Sequence, residues 1–457
     1  MTRDFELPLE IFGQNPATGF ATPFIFFWPL PDHEDASAFV TRLQTGLDKI
    51  SEAIPWVAGK VVKREPPDPH LNDDYPYKIV PSTQTPKLIF HDHRSSLDVP
   101  SMDELTEKRF PIRLLDESVL SPVNVLPGRI GDGRDSVLIV QLNRLRGGLA
   151  INIVGNHQVL DGTGQEQLIY LLDKACRGEA FDEEEIATAN LDKVAIIQPF
   201  DSDWQPPLDT MYINPPSATP TPLTEENGNQ AMPAVEWVNW ALPKKALTEL
   251  KKAATEHLSC GFVSTDDVLT AFIWQTLARV RLRRLGSSVE STIGRAVNPR
   301  RHVGIPAAYP GHISNNAFSK LTLRDLSVNS LGQVSSILRM AVDPSTSGLR
   351  DSTREFATLL HRATDKSTVS MSARLNLDSD LMLSSWASMR CYQFTFGLDL
   401  GNPSAFRRPK QAPVPSLVFL LPRNRDGEIV VKMGIRQDDL YVLQKDKIWI
   451  EFAEYIG

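Results

Sequence analysis

From Gln205 to Pro233 the chain carries Pro206, Pro207, Pro215, Pro216, Pro220 and Pro222 among Thr, Asn and Glu, and no apolar period runs through it. Such a stretch continues neither a helix nor a central strand, because each proline removes a backbone donor and fixes φ. It falls near the middle of 457 residues, and single cores stop growing at roughly 250–300 residues. The sequence therefore predicts two domains, residues 1–205 and 234–457, joined by a crossover linker at 206–233.

Both flanks mix helical and strand patterns. Phe39, Val40, Leu43, Leu47 and Ile50 recur at helical spacing over residues 37–50, and Pro55 ends that helix. Residues 136–155 read as two strands around Arg146-Gly147-Gly148, and the apolar run Phe24–Leu30 as a buried strand. Beyond the linker, Ser264–Arg284 is a helix with Val268, Leu269, Phe272, Ile273, Leu277 and Val280 on one side, capped by Ser264 or Thr265. SLVFLLP and EIVVKMGI flank Arg423–Gly427, where Asp426-Gly427 marks a hairpin. The expected class is α/β, with mixed sheets in an α+β manner.

Charge narrows the partners. Lys and Arg total 48 and Asp and Glu 56, a formal charge of −8, which disfavours general binding to nucleic acid or to an anionic membrane surface. The first residues, MTRDFELPLEIFGQ, do not resemble a signal peptide, and no run is long and apolar enough to span a bilayer. Cys176, Cys260 and Cys391 are far apart and odd in number, so a disulfide framework is not expected and a reducing, cytoplasmic setting fits.

The sharpest local pattern is Gly155-Asn156-His157-Gln158-Val159-Leu160-Asp161-Gly162-Thr163-Gly164. An apolar strand runs into a histidine, an aspartate follows four positions later, and a glycine-rich turn opens a helix expected over Gly164–Arg177, with Thr163 and Glu166 as its capping box. A histidine titrates near neutrality and suits proton removal from an attacking hydroxyl or amine. The aspartate can brace the turn against an arginine. Taken alone, HxxxDG is as compatible with a structural histidine as with a catalytic one. There is no GxSxG elbow, phosphate loop or HExxH, and the pair His91 and His93 lacks the further ligands of a metal site. The run Arg407-Arg408-Pro409-Lys410 reads either as a solvated basic loop or as a phosphate contact.

With these residues in hand, the chain resembles the BAHD acyltransferase family, and in its later segments the fungal, trichothecene 3-O-acetyltransferase branch. The resemblance rests on QLNRLRGGLAINIVGNHQVLDGTGQ, STDDVLTAFIWQTLARVRLRRL, AVNPRRHVGIPAAYPGHISNN and LNLDSDLMLSSWASMRCYQFTFGLDLGNPSAFRRP, in that order, over nearly the whole chain. It implies two chloramphenicol-acetyltransferase-like domains with an active-site tunnel between them. It further implies direct acyl transfer from acetyl-CoA or another acyl-CoA to a small secondary metabolite, in a monomer with no permanently bound cofactor and no metal.

The same resemblance implies roles. His157 is the general base, Asp161 its structural brace paired with Arg300, and Gly162 the motif glycine. Ser384 and Trp386 fall where a hydroxyl and an indole face the reacting carbonyl, their plainer reading being a capped turn and a core tryptophan. Ser264, Arg300, Phe396, Gly397 and Arg407 are the expected coenzyme A contacts. The second signature departs from DFGWG: Thr395 replaces its aspartate and Leu398 its tryptophan, and Asp399 is the expected compensating charge. Asn156 stands where carrier-fed condensation domains have a second histidine, which argues against that rival. A further alternative is a fold that has lost transfer and only binds or cyclises a small molecule.

Overall fold

The computed structural model describes residues 5–64, 75–83, 85–126, 135–213 and 234–457. Most of the predicted crossover, 214–233, lies outside the described residues.

Two mixed sheets organise the chain. The first runs in the order Ala405–Arg407, Ala21–Pro29, Gly148–Asn156, Leu138–Leu145, Lys87–Asp92. Its centre is the hairpin predicted from Arg146-Gly147-Gly148: Leu145 pairs with Gly148, and Gly147 adopts φ +69°, the left-handed region a two-residue turn demands. The strand Ala21–Pro29 is buried from Ala21 through Trp28. Its two prolines, Pro23 and Pro29, lie outside Ile25–Phe27, the stretch paired on both edges, so neither sits where ladder bonds are needed on both sides. The helices Ser37–Ala53 and Gly162–Cys176 pack against each other beside this sheet. Gly46 makes that contact close, since a Cβ there would lie 2.3 Å from Cys176 Sγ.

The second sheet has seven strands: Asn315–Thr322, Glu290–Val297, Leu381–Ser385, Leu417–Leu420, Ile429–Arg436, Val235–Leu242 and Glu454–Tyr455. Leu381–Ser385 is parallel to both of its neighbours, and the remaining pairs are antiparallel. The hairpin predicted at Asp426-Gly427 joins two of them, with Gly427 at φ +86°. A small third sheet orders Leu7–Pro8, Tyr77–Pro81 and Gly59–Lys63.

Two expectations change. The helix Thr265–Leu285 is not one-sided: Thr270, Ala271, Trp274, Gln275 and Thr276 are buried with its apolar residues. Shorter helices, Leu323–Val328, Leu331–Met340 and Gln437–Leu443, pack around it and hide the face that would otherwise meet water. The second half also does not stay on its own side. Cys391, Tyr392, Phe394, Phe396, Leu398 and Phe406 join the core of the first sheet, and Ala405–Arg407 forms that sheet's edge strand.

Candidate active site

The strand Gly148–Asn156 ends one residue before His157, whose backbone N–H donates to Phe20 O at 3.0 Å. Val159 and Leu160 N–H groups both return to Asn156 O at 3.0 Å, which closes a tight turn. Asp161 then caps the helix Gly162–Cys176, its Oδ1 accepting from Gly164 N–H at 2.7 Å. The helix thus begins two residues earlier than expected, and Asp161 replaces Thr163 as its cap. Glu166 is not part of a capping box: its carboxylate accepts from the backbone N–H and the guanidinium of Arg390.

The second oxygen of Asp161 is also committed. Oδ2 lies 2.8 Å from Arg300 Nη2 and accepts from Ile313 N–H at 2.7 Å. Arg300 is buried and spends its other donors on Tyr309 O, Gly311 O, Ile313 O and Asn298 Oδ1. Gly164 makes this docking possible, since a Cβ there would meet Pro310 O at 2.2 Å. Arg300 is therefore an internal clamp whose guanidinium has no donor left for a cofactor, contrary to its expected second role.

The His157 ring lies on Phe20 at 4.4 Å between centroids and meets His312 edge-on at 4.9 Å, 88°. Its Nδ1 is buried without a partner among the described residues. Burial, followed by His312, pushes the imidazole down to about 3, and Asp161 acts in the opposite direction. His312 is likewise pushed down to about 3 by burial and by Arg300, with Nε2 2.7 Å from Ser314 Oγ. Both rings are therefore neutral at neutral pH, the state in which a histidine can accept a proton. His312 was not singled out from the sequence. It lies in the arginine segment, and no local pattern there distinguishes it.

Ser384 is the penultimate residue of the parallel strand Leu381–Ser385, at the strand end where α/β sheets hold ligands. Trp386 Nε1 donates to Ser384 Oγ at 3.1 Å. The same indole nitrogen would lie 3.3 Å from a Cβ on Gly162, which brings the pair onto the HxxxDG turn. The indole packs on Phe24 at 4.7 Å and Phe419 at 5.4 Å, with the Arg408 guanidinium 4.9 Å above it. The indole N–H is thus taken by Ser384. The Ser384 proton has no acceptor among the described residues.

The other expected coenzyme A contacts fare differently. Ser264 caps the helix Thr265–Leu285, its Oγ accepting from Asp267 N–H at 3.1 Å while its own N–H donates to Asp267 Oδ2 at 2.7 Å. Phe396 is wholly buried between Phe26 and Trp28 and presents no side chain to a ligand. Gly397, at φ +60°, gives its carbonyl to Arg42. Arg407 is buried and donates to Phe110 O, Phe406 O and Arg109 O, so it does not reach phosphates. Of the basic run only Lys410 is exposed, which corrects its reading as a solvated loop.

The charge lost at Thr395 is replaced from an unexpected side. Asp173, on the helix Gly162–Cys176, accepts from Thr395 N–H at 2.8 Å and Phe396 N–H at 2.6 Å and pairs with Arg177. The expected substitute, Asp399, is exposed and only faces Arg42 at 3.6 Å.

Comparison with known proteins gives consistent matches. A model described as the Transferase family matches residues 119–448, and one described as the trichothecene 3-O-acetyltransferase-like N-terminal domain matches residues 21–176. The chain is 36% identical to the trichothecene 3-O-acetyltransferase of Fusarium sporotrichioides, over 100% of this chain and 98% of that one. It is 34% identical to an O-acetyltransferase of Cryptosporiopsis, over 99% of each. The crystal structure of TRI101 of Fusarium graminearum, complexed with coenzyme A and deoxynivalenol, superposes with a TM-score of 0.91 at 34% identity, over 99% of this chain and 100% of that one.

Proposed function

The chain belongs to the transferase family, in its trichothecene 3-O-acetyltransferase-like branch, and on that premise we propose that it moves an acyl group, acetyl by default, from coenzyme A to a hydroxyl of a small secondary metabolite. The observation that carries the reading is the neutral, partly reachable imidazole of His157 at a strand end, beside a helix start whose Asp161 is fully occupied by Gly164, Ile313 and Arg300.

A thioester is already activated, so no covalent enzyme intermediate is needed. His157 takes the proton of the acceptor hydroxyl as its oxygen attacks the thioester carbon. The tetrahedral intermediate carries its negative charge on the former carbonyl oxygen, where Ser384 can donate its free proton. That negative charge favours the protonated imidazole, offsetting the burial that holds His157 low in the empty site. Collapse breaks the carbon–sulfur bond, and the thiolate of coenzyme A leaves with the proton from His157. The products are the ester and free coenzyme A. Asp161 takes no proton and keeps the turn in register.

Asn156, in place of a second histidine, supports free acyl-CoA as donor over a carrier-bound acyl group. We place the enzyme in the cytoplasm, a reading supported by Cys176, Cys260 and Cys391 all being free thiols, and take it to act as a monomer. The test is mass spectrometry of products from hydroxylated metabolites incubated with acetyl-CoA, with the parent and with His157→Ala. New acetyl esters with the parent, reduced about 10²–10⁴-fold in a folded variant, are expected. A folded variant with parental turnover overturns the assignment.

A further inference from the structure

Arg144, Arg281, Arg295, Arg300 and Arg407 are all buried, and each gives its N–H groups to carbonyl, carboxylate or hydroxyl oxygens. Arg408 is buried as deeply, at 3% exposure. Its guanidinium lies against two aromatic faces, 4.9 Å over Trp386 and 4.4 Å over Phe419. Its Nε is buried without a hydrogen-bond partner among the described residues, as are those of Arg144 and Arg281, but unlike theirs its terminal guanidinium nitrogens also make no hydrogen bond or ion pair with any described residue. Cation–π attraction accounts for where the group sits. It leaves five in-plane donors unused, and unmade hydrogen bonds in a buried site are costly.

The neighbourhood repeats the pattern. Phe419, Lys432 and Asn239 are register partners across three strands, so their side chains leave the sheet on one face. Trp237, Phe419 and Val430 belong to the core shared with the first sheet, whereas Val238 and Trp240 belong to the other core. Asn239 therefore shares the face of Trp237 and points between the two sheets. Both its Nδ2 and its Oδ1 are buried and without a hydrogen-bond partner among the described residues. Lys432, also buried, lies 4.4 Å over Trp237 and donates to Pro409 O at 3.1 Å. Burial pushes both cations down, and Glu117 is the carboxylate that acts on each. Glu117 itself accepts from Val125 N–H. Two buried cations thus share one half-buried carboxylate, with an unpaired amide beside them. Arg408 is also near enough to depress His157.

We propose that Arg408, with Lys432 and Asn239 behind it, forms a subsite for an anionic oxygen group, a carboxylate or phenolate, carried by one of the two substrates beside the group being transferred. The guanidinium plane, already fixed by Trp386 and Phe419, presents paired donors to two oxygens, the arrangement that recognises carboxylate. Lys432 supplies a second charge and Asn239 a neutral donor. This rests on the acyl-transfer reading, since it names the chemistry of that enzyme's substrate. The anion belongs either to the acceptor or to the acyl chain.

Benzoate and its neutral isostere benzamide are the probes. Binding to the full-length protein is followed by tryptophan fluorescence, with Arg408→Met, Arg408→Lys and Lys432→Met compared at matched circular dichroism and melting. Benzoate is expected to bind roughly ten- to a hundredfold more tightly than benzamide, to lose that preference in Arg408→Met and to keep part of it in Arg408→Lys. If Arg408→Met does not fold, the same loss in Lys432→Met decides. Equal binding of the two probes, no benzoate binding, or parental preference in a folded Arg408→Met overturns the proposal. The source is read from transfer rates: 4-hydroxybenzoate against its methyl ester with acetyl-CoA, and malonyl-CoA against acetyl-CoA on the ester. A preference for the free acid places the anion on the acceptor, and a preference for malonyl-CoA places it on the acyl chain. Transfer without preference in either pair overturns the subsite. Arg408-dependent benzoate binding without transfer in any pair upholds the subsite and removes the acyl-transfer reading instead.

Discussion

Arg300 Nη2 lies 2.8 Å from Asp161 Oδ2, with both side chains buried, and this pair ties the start of the HxxxDG helix to the arginine segment of the second half. Asp161 is at once a helix cap, a charge partner and the acceptor for Ile313 N–H. It is saturated by protein, which leaves His157 as the titratable member of the motif free to act on substrate.

Asp161→Asn is therefore expected to act on stability. It removes one charge of a buried pair and leaves Arg300 uncompensated, a loss of about 3 kcal/mol at the low end of such cases. Chemical denaturation with single-turnover kinetics on the folded fraction checks this. A parental unfolding midpoint with abolished turnover would show instead that Asp161 works on substrate.

The two low histidines give the protein a defined acid sensitivity. An unfolded histidine titrates near 6.5, whereas His157 and His312 hold off protonation to about 3. Above pH 6.5 neither state binds these protons, and the groups leave stability unchanged. Between 6.5 and 3 the unfolded chain binds protons that the native protein does not, so stability falls as the pH falls. The slope gives about 2 kcal/mol per histidine at pH 5. Urea unfolding from pH 7 to pH 5 measures the fall, and His312→Gln is expected to shallow it. The acid limb of kcat/KM belongs well below 6.5 by the same reasoning, so a limb at 6.5 in the stable range would contradict the assignment.

The Thr395 loop leans on Asp173, so Asp173→Asn is expected to loosen it. Both N–H groups go to one oxygen of a charged carboxylate, and a neutral amide weakens them by roughly 1–2 kcal/mol. A raised KM for acetyl-CoA with a nearly parental acceptor KM is the expected pattern. Thr395→Asp, which the sequence alone suggests as an improvement, instead sets a second carboxylate beside Asp173. Its expected result is a lower melting temperature and no tighter binding.

Ser384→Ala tests the oxyanion role. Loss of one such donor costs about 10²–10³-fold in kcat, with KM little changed. It also strips the Trp386 N–H of its acceptor, so the melting temperature should fall modestly. A parental kcat would confine Ser384 to supporting the indole.

What was legible in the sequence follows the range of each interaction. His157 and Asp161 stand four residues apart on one strand–turn–helix unit, and the hairpins at Gly147 and Gly427 announce themselves through local backbone demands. Arg300 needed the family resemblance, because its partner Asp161 lies far away in the sequence. Asp173 was missed because it reads as the solvated side of an amphipathic helix. It is buried only because the loop at Thr395–Gly397 descends onto it. Arg407 and Arg408 were misread for the converse reason: a run of cations looks like surface until a distant sheet edge covers it. His312 has no local signal, since its contact with His157 comes from two separate segments.

The edge strand Ala405–Arg407 has a consequence for biosynthesis. Ser404 hydrogen-bonds Phe27 across 377 positions of sequence. At roughly 5–20 residues per second, the ribosome takes on the order of twenty seconds to over a minute to deliver the strand that completes the first sheet. During that interval the nascent first half carries an unpaired, strongly apolar border at Ile25–Phe27. The polypeptide is thus committed to finishing its translation before its first sheet is closed, and a message truncated after the crossover yields a product with a sticky margin rather than a free-standing unit.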